Sequence, residues 1–177
     1  MIIIETNRLY FRLLNEGDAT EEYVGWLNDS EVNQYLETRH QEQDVESCRR
    51  FIDLCNEDDA SCLLGIFTKD TGLHIGNVKL GFIHHLYKRA QLSLFIGEKA
   101  CWGKGYGKEI IGAVTNYGFD VLGLNRIEAG CYEDNLASLR AFIKVGYSVE
   151  GFFRQHVDFQ GRLVGCFWLG MLRGERD

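Results

Sequence analysis

The chain has 177 residues with 20 glycines, no proline, six cysteines and a formal net charge of -7. That length fits one domain spanning residues 1–177, and average usage would supply about nine prolines, so their absence excludes Pro-rich linkers and low-complexity tails. The acidic balance excludes the broad basic footprint of a nucleic-acid binder. No stretch is apolar for the length of a membrane span, and the Met1–Ile4 run ends at Glu5 without the pattern of a signal peptide, so a cytoplasmic protein with no membrane partner is expected. The cysteines, at positions 48, 55, 62, 101, 131 and 166, stand singly with no CxxC pair, and they read as reduced thiols, most of them in apolar runs, rather than disulfides or metal ligands.

Residues 8–14 alternate Leu9, Phe11 and Leu13 against Arg8, Tyr10 and Arg12, the period of a half-buried strand, taken as the first. Asp18 and Glu21 have capping-box spacing ahead of Tyr23, Val24 and Leu27, and predict a short helix, with a small turn after Ser30. Asp44 caps a predicted helix in which Val45, Cys48, Phe51, Ile52 and Cys55 share one face. Residues 62–68 and 74–83 flank Asp70-Thr71-Gly72 and predict a hairpin, and 90–97 alternates as a further strand. A glycine-rich loop at 102–107 leads into a helix with Ile110, Ile111, Val114, Tyr117, Val121 and Leu122 on one stripe. Strand 126–132, helix 136–144 and a last hairpin, 152–159 with 163–172, complete a mixed α/β order without internal repeats.

Residues 97–109, Gly-Glu-Lys-Ala-Cys-Trp-Gly-Lys-Gly-Tyr-Gly-Lys-Glu, lie between a strand and a helix, where backbone can approach an oxyanion and the helix N-terminus adds positive potential. Lys99, Lys104 and Lys108 add positive charge there. A Walker A loop fails because Trp102 stands at its first glycine and Glu109 at its Ser/Thr, and the dinucleotide pattern GxGxxG has no third glycine in either register. The bland reading is a turn that only caps its helix.

The run 92–109 resembles the acetyl-CoA motif of the GCN5-related N-acetyltransferases (GNAT). The pyrophosphate loop falls on Trp102-Gly103-Lys104-Gly105-Tyr106-Gly107, with Trp102 where the family usually has Gln or Arg. With Arg126-Ile127-Glu128, Asn135-Leu136-Ala137-Ser138, Lys144-Val145-Gly146-Tyr147 and Glu150-Gly151-Phe152-Phe153-Arg154, the whole chain is similar to the branch of ribosomal-protein N-terminal acetyltransferases (RimJ/RimL-like). The resemblance implies an α/β (α+β) GNAT fold: a mixed, mostly antiparallel sheet of six to seven strands, about four helices, and a splay between the fourth and fifth strands, 90–97 and 126–132.

It also implies acetyl-CoA as co-substrate and no metal. Cofactor-binding positions by that register are Phe95, Gly97, Trp102, Gly103, Lys104, Gly105, Tyr106, Gly107, Lys108, Asn135 and Ser138. The Phe95 N–H is expected to polarise the thioester carbonyl, a role suited to a preorganised donor, while the backbone N–H groups of 102–107 hold the pyrophosphate. The family's tyrosine acid and glutamate base fall on Phe142 and Gln91, neither of which moves protons. Catalytic candidates are therefore Phe95 through its backbone, Tyr132 as acid, and Glu98, against bland readings of a half-buried aromatic and a solvated residue balancing Lys99. His84 with His85, and His156 with Asp158, are further titratable pairs.

The function implied is acetyl transfer to a primary amine by direct attack in a ternary complex, with a homodimer left open. Three acceptors are distinguished: a peptide N-terminus, compatible with the acidic chain; an amino-sugar nucleotide, with Arg39, His40, Arg49 and Arg50 as anion patch; and a polyamine or antibiotic amine, with Glu57, Asp58 and Asp59 as carboxylates. The alternative from another class is a catalytically silent acyl-CoA sensor or interaction module, motivated by Gln91 and Phe142.

Overall fold

A computed structural model describes residues 1–176. Its strands are β1 Ile2–Glu5, β2 Leu9–Leu13, β3 Cys62–Thr68, β4 His74–His84, β5 Arg89–Ile96, β6 Arg126–Tyr132, β7 Ser148–Phe159 and β8 Arg162–Leu172. The helices are α1 Glu21–Asn28, α2 Ser30–Asn33, α3 Val45–Glu57, α4 Tyr106–Asp120 and α5 Leu136–Val145. The strands form one sheet in the order β1-β2-β3-β4-β5-β6-β8-β7. Every neighbouring pair is antiparallel except β5 with β6.

Alternation along the strands divides the interior in two. Leu64 and Ile66 of β3 join Ile110, Ile111, Val114 and Phe119 of α4 and Phe142 of α5 on one face. Leu63 and Phe67 of the same strand join Tyr23, Trp26 and Leu27 of α1 and Cys48, Ile52 and Cys55 of α3 on the other. Each face therefore has its own helical layer, and the sheet is the wall between them.

The parallel pairing of β5 with β6 stops after three positions, Arg89–Gln91 against Arg126–Glu128. Beyond it β5 runs on to Ile96 and β6 to Tyr132 without pairing to each other. This is the expected splay, opening toward the C-terminal ends of both strands. The helical crossover α4 joins the two, as a parallel connection requires.

The strand count exceeds the expected six to seven because Ile2–Glu5 pairs antiparallel with β2. The run is too short to alternate legibly, and only its partner identifies it as an edge strand. Five helices replace about four, since Ser30–Asn33 closes a full turn capped by Asp29. Asp18 does not cap α1; Thr20 does, its hydroxyl accepting from Tyr23 N–H. Asp18 instead takes both Arg12 guanidinium nitrogens, at 2.7 and 2.6 Å, and Asn15 N–H at 2.8 Å. Val121 lies past the end of α4 and is exposed, so it leaves the predicted stripe. Asp44 caps α3 as expected. All six cysteines are free, five of them buried and Cys62 half-buried.

Candidate active site

The loop after β5 is built by local chemistry. Glu98 caps the 3-10 turn Lys99–Cys101 by accepting from Ala100 N–H at 3.0 Å. Trp102 N–H donates to Lys99 O, and its indole Nε1–H reaches back to Ile96 O at 2.8 Å, tying the loop to the end of β5. Gly103 and Gly105 follow with φ of 72° and 80°, the left-handed region that glycine enters without a Cβ penalty. Gly105 is the N-cap of α4 and has no side chain to cap it, so the N–H groups of Tyr106, Gly107 and Lys108 lack the usual capping partner. An exposed, uncapped helix N-terminus approached by left-handed glycines suits a pyrophosphate.

A side-chain clamp holds this loop against the turn between β1 and β2. The Glu109 carboxylate accepts from Thr6 Oγ1 at 2.6 Å, Arg8 N–H at 3.1 Å and Arg8 Nε at 2.7 Å. Arg8 also donates to Lys104 O at 2.9 Å and lies 4.2 Å from the Tyr106 ring centroid. Burial pushes the Glu109 carboxyl up, but these hydrogen bonds together outweigh it and hold it below the ordinary carboxylate range. In the sequence Glu109 stands out only as a mismatch to a Walker loop. Its partners lie about a hundred residues away, and no local spacing announces them.

Several expected roles change. Lys99 is held by Asp29 at 2.7 Å and by Glu31, so it does not balance Glu98 and does not belong to the loop's free positive charge. Trp102 N–H is engaged within the loop and is not free to hold pyrophosphate. Gly97 is buried beneath Trp26, whose ring any Cβ there would overlap, and its N–H donates to Ile75 O at 2.9 Å; its glycine identity has a packing reason. The same bond fixes strand parity. Backbone groups two residues apart point the same way along a regular strand, and β5 keeps unbroken register with β4 from Gln91 to Ile96, so the Phe95 N–H faces its partner Asn77 in β4. The amides directed into the gap are those of Leu94 and Ile96, which corrects the oxyanion assignment to Phe95.

On the far side of the gap, Asn135 caps α5 by accepting from Ser138 N–H at 3.2 Å, and Ser138 Oγ lies 3.4 Å from Cys131 Sγ. Tyr132 ends β6 beside the opening. Its hydroxyl donates to the Glu37 carboxylate and accepts from Arg39 Nη1 at 2.9 Å. Burial first, and then the hydrogen bond to Glu37, push its phenol up to about 12, while Arg39 pulls it down. Tyr35 stacks on Phe159 with centroids 5.3 Å apart and meets Tyr132 edge-on at 5.8 Å, which completes an aromatic rim.

Arg39 also donates to Leu36 O at 2.8 Å and Asp158 O at 2.7 Å, so this member of the expected anion patch is bound internally. Arg162 is likewise paired with Asp134 at 2.6 Å. The Asp58 carboxylate caps Ala60 and Ser61, and Ala60 O accepts from Ile83 N–H, so the acidic loop 57–59 sits by the β4–β5 turn, at the closed end of the splay. His84 accepts from Tyr87 N–H and stacks on its ring, and Asp158 accepts from Gly161 N–H, so each, at the end of its strand, braces the turn that follows. Phe142 is core, edge-on to Tyr147 at 5.0 Å. Among the described residues, no helix is long and apolar enough to cross a membrane.

Residues 8–148 match the family described as acetyltransferase (GNAT) domain. The chain is 33% identical to the uncharacterized N-acetyltransferase YoaA of Bacillus subtilis over 158 residues, 88% of each chain. The spermidine N-acetyltransferase of Vibrio cholerae, solved with CoA and spermine, superposes with a TM-score of 0.86 at 19% identity, covering 96% of this chain and 98% of that one. A V. cholerae structure provisionally described as a ribosomal-protein-serine acetyltransferase gives 0.73 at 22% identity, covering 96% of both. At such identities the structural likeness is one of fold. This chain belongs to the GNAT acetyltransferase family, a class that uses acetyl-CoA, and the resemblance first carried by the loop extends over most of its length.

Proposed function

We propose that this protein acetylates the primary amine of a cationic acceptor, a peptide N-terminus or a polyamine, from acetyl-CoA bound along the β5–β6 gap. The observation that carries the acceptor class is the rim around Tyr132. It presents the exposed Glu37 carboxylate beside the hydroxyl, where it also meets Arg39 at 3.6 Å, while Arg39 is further held by two backbone carbonyls and Arg162 by Asp134. That takes Arg39 out of the anion patch expected for an amino-sugar nucleotide, and a protonated amine finds an exposed carboxylate to meet it.

When bound, acetyl-CoA supplies the acyl group as a thioester. Gly103, Lys104, Gly105, Tyr106, Gly107 and Lys108 hold its pyrophosphate, chiefly through backbone N–H groups. The gap-facing amides of Leu94 and Ile96 hydrogen-bond the amide-rich arm, as an added strand would, and polarise the thioester carbonyl. Asn135 keeps its amide nitrogen as a donor at the start of α5. Attack by the neutral amine forms the C–N bond and breaks the C–S bond. The Tyr132 hydroxyl delivers a proton to the departing sulfur, and Glu37 takes the proton the amine loses and returns one to Tyr132. Glu98 keeps its capping role only.

The test is an acceptor panel of basic N-terminal peptides, spermidine and an amino-sugar nucleotide, monitored by thiol release with acetyl-CoA. Turnover confined to the peptides or spermidine is expected. Turnover confined to the sugar nucleotide would overturn the acceptor class, and CoA binding without thiol release from any amine would favour the silent sensor.

A further inference from the structure

The two faces of the β6-β8-β7 half of the sheet are covered unequally. On one, Cys131 and Phe167 pack toward α5 and the main core. On the other, register and alternation bring together Gly130 and Tyr132 of β6, Cys166 and Trp168 of β8, and Gly151 and Phe153 of β7. The core beneath α1 and α3 contains no residue of these three strands. Gly130 is exposed although β6 runs between β5 and β8, so solvent reaches the middle of the sheet there. This open face continues directly from the rim around Tyr132.

Trp168 lies across the floor of that face. Its ring occupies the space a side chain at Gly130 would need, since a Cβ there would come within 3.0 Å of it. Phe153 meets it edge-on with centroids 5.9 Å apart. Trp168 is only half-buried, and among the described residues its indole N–H has no acceptor, whereas that of Trp102 is bonded to Ile96 O. Cations of this chain lie over Tyr106, Phe67, Tyr132 and Phe51, and among the described residues none lies over Trp168. Arg126 and Arg89, at the far end of the face, are matched by Glu128 and Glu150.

We infer that Trp168 receives a second cation of the acceptor, and that the substrate is therefore a linear amine carrying two positive charges. The inference rests on the cationic-acceptor reading above. Tyr132 and Gly130 are two residues apart on β6, so the indole over Gly130 lies roughly 7 Å along the strand from the reacting end, the reach of a short methylene chain. An ammonium is attracted to the face of an aromatic ring by its quadrupole, and tryptophan holds it best among the aromatic side chains. One amine is thereby set beside Tyr132 and Glu37 while the other rests on the ring.

Paired acceptors of equal shape test this: cadaverine against hexylamine, and a peptide with lysine at its second residue against the same peptide with norleucine there. Thiol release is followed at saturating acetyl-CoA for the wild type, Trp168→Leu and the conservative Trp168→Phe, with circular dichroism as the check of folding. The wild type is expected to prefer the dication of one pair by about tenfold in kcat/KM. Trp168→Leu loses that preference through KM, and Trp168→Phe keeps part of it. Whichever pair shows the preference identifies the source of the second charge. Without acetyl-CoA, the same dication should shift the tryptophan emission of the wild type and leave that of Trp168→Phe unchanged. Equal use of both members of each pair, equal weakening of both by Trp168→Leu, or an unshifted wild-type emission would overturn the cation site and leave the transferase reading standing. Thiol release from no amine, with acetyl-CoA still bound, would instead remove the acceptor reading on which the site rests.

Discussion

The two sides of the gap are made of different material. On the β5 side the site is backbone: gap-facing amides, two left-handed glycines and an uncapped helix N-terminus within about a dozen consecutive residues. On the β6 side it is side chains drawn from distant segments, with Tyr132 meeting Glu37 and Arg39 more than ninety residues away. A ligand shared by a whole family can be held by main chain, which point substitutions barely touch. An acceptor that differs among members calls for side chains, which can be exchanged singly.

If that division holds, damage on one side leaves the other's measurement intact. The largest effect belongs to Gly105→Val, which puts a β-branched residue at a φ of 80° and spoils the donors around it. We expect acetyl-CoA affinity to fall by about 4 kcal/mol, roughly a thousandfold, in calorimetry. Next comes Tyr132→Phe, with kcat down by about a hundredfold and acetyl-CoA affinity unchanged in the same titration. A matching loss of affinity would erase the distinction between the two sides. Because its phenol is pushed up to about 12, Tyr132 stays protonated, and the pH-rate profile of the wild type should show no alkaline limb from it below about pH 10.

Smaller is Glu109→Gln, which weakens the clamp by about 1 kcal/mol in urea denaturation. Its carboxyl is held below its ordinary value, so the clamp's contribution is fully present above the unfolded-state value near 4 and is lost as pH falls through the depressed folded one. Comparing wild type with Glu109→Gln across pH 7 to 3 should therefore show the difference shrinking toward the acid end. The smallest effect is Lys99→Ala, within about twofold in acetyl-CoA affinity, since Asp29 and Glu31 hold that ammonium away from the loop. A tenfold loss would return Lys99 to the anion site.

The same division explains what could be read before the structure. The loop 97–109 announced itself because glycines at fixed spacing between a strand and a helix have few other uses, and strands such as 126–132 were bounded by their alternation. Gly97 was read as a cofactor residue because its true reason, the Trp26 ring, lies seventy residues away. The Phe95 assignment failed by a single step of strand parity, which a motif alone does not fix and the Gly97–Ile75 bond does. Arg39 reads in the sequence as a member of an anion patch with His40, Arg49 and Arg50, and nothing local says that Tyr132 and Asp158 consume its donors.

The three-position seam between β5 and β6 has a thermodynamic consequence. The eight strands form one sheet, yet its two halves are stitched at the centre by only a short ladder, so the molecule's weakest junction is also where its co-substrate arm would lie. Occupancy then acts as additional hydrogen bonding across a mechanical fault. A hundredfold excess of ligand over Kd adds about 2.7 kcal/mol by mass action. The amides of Leu94 and Ile96, protected by neither neighbour when the gap is open, become sensitive reporters of that closure in hydrogen exchange.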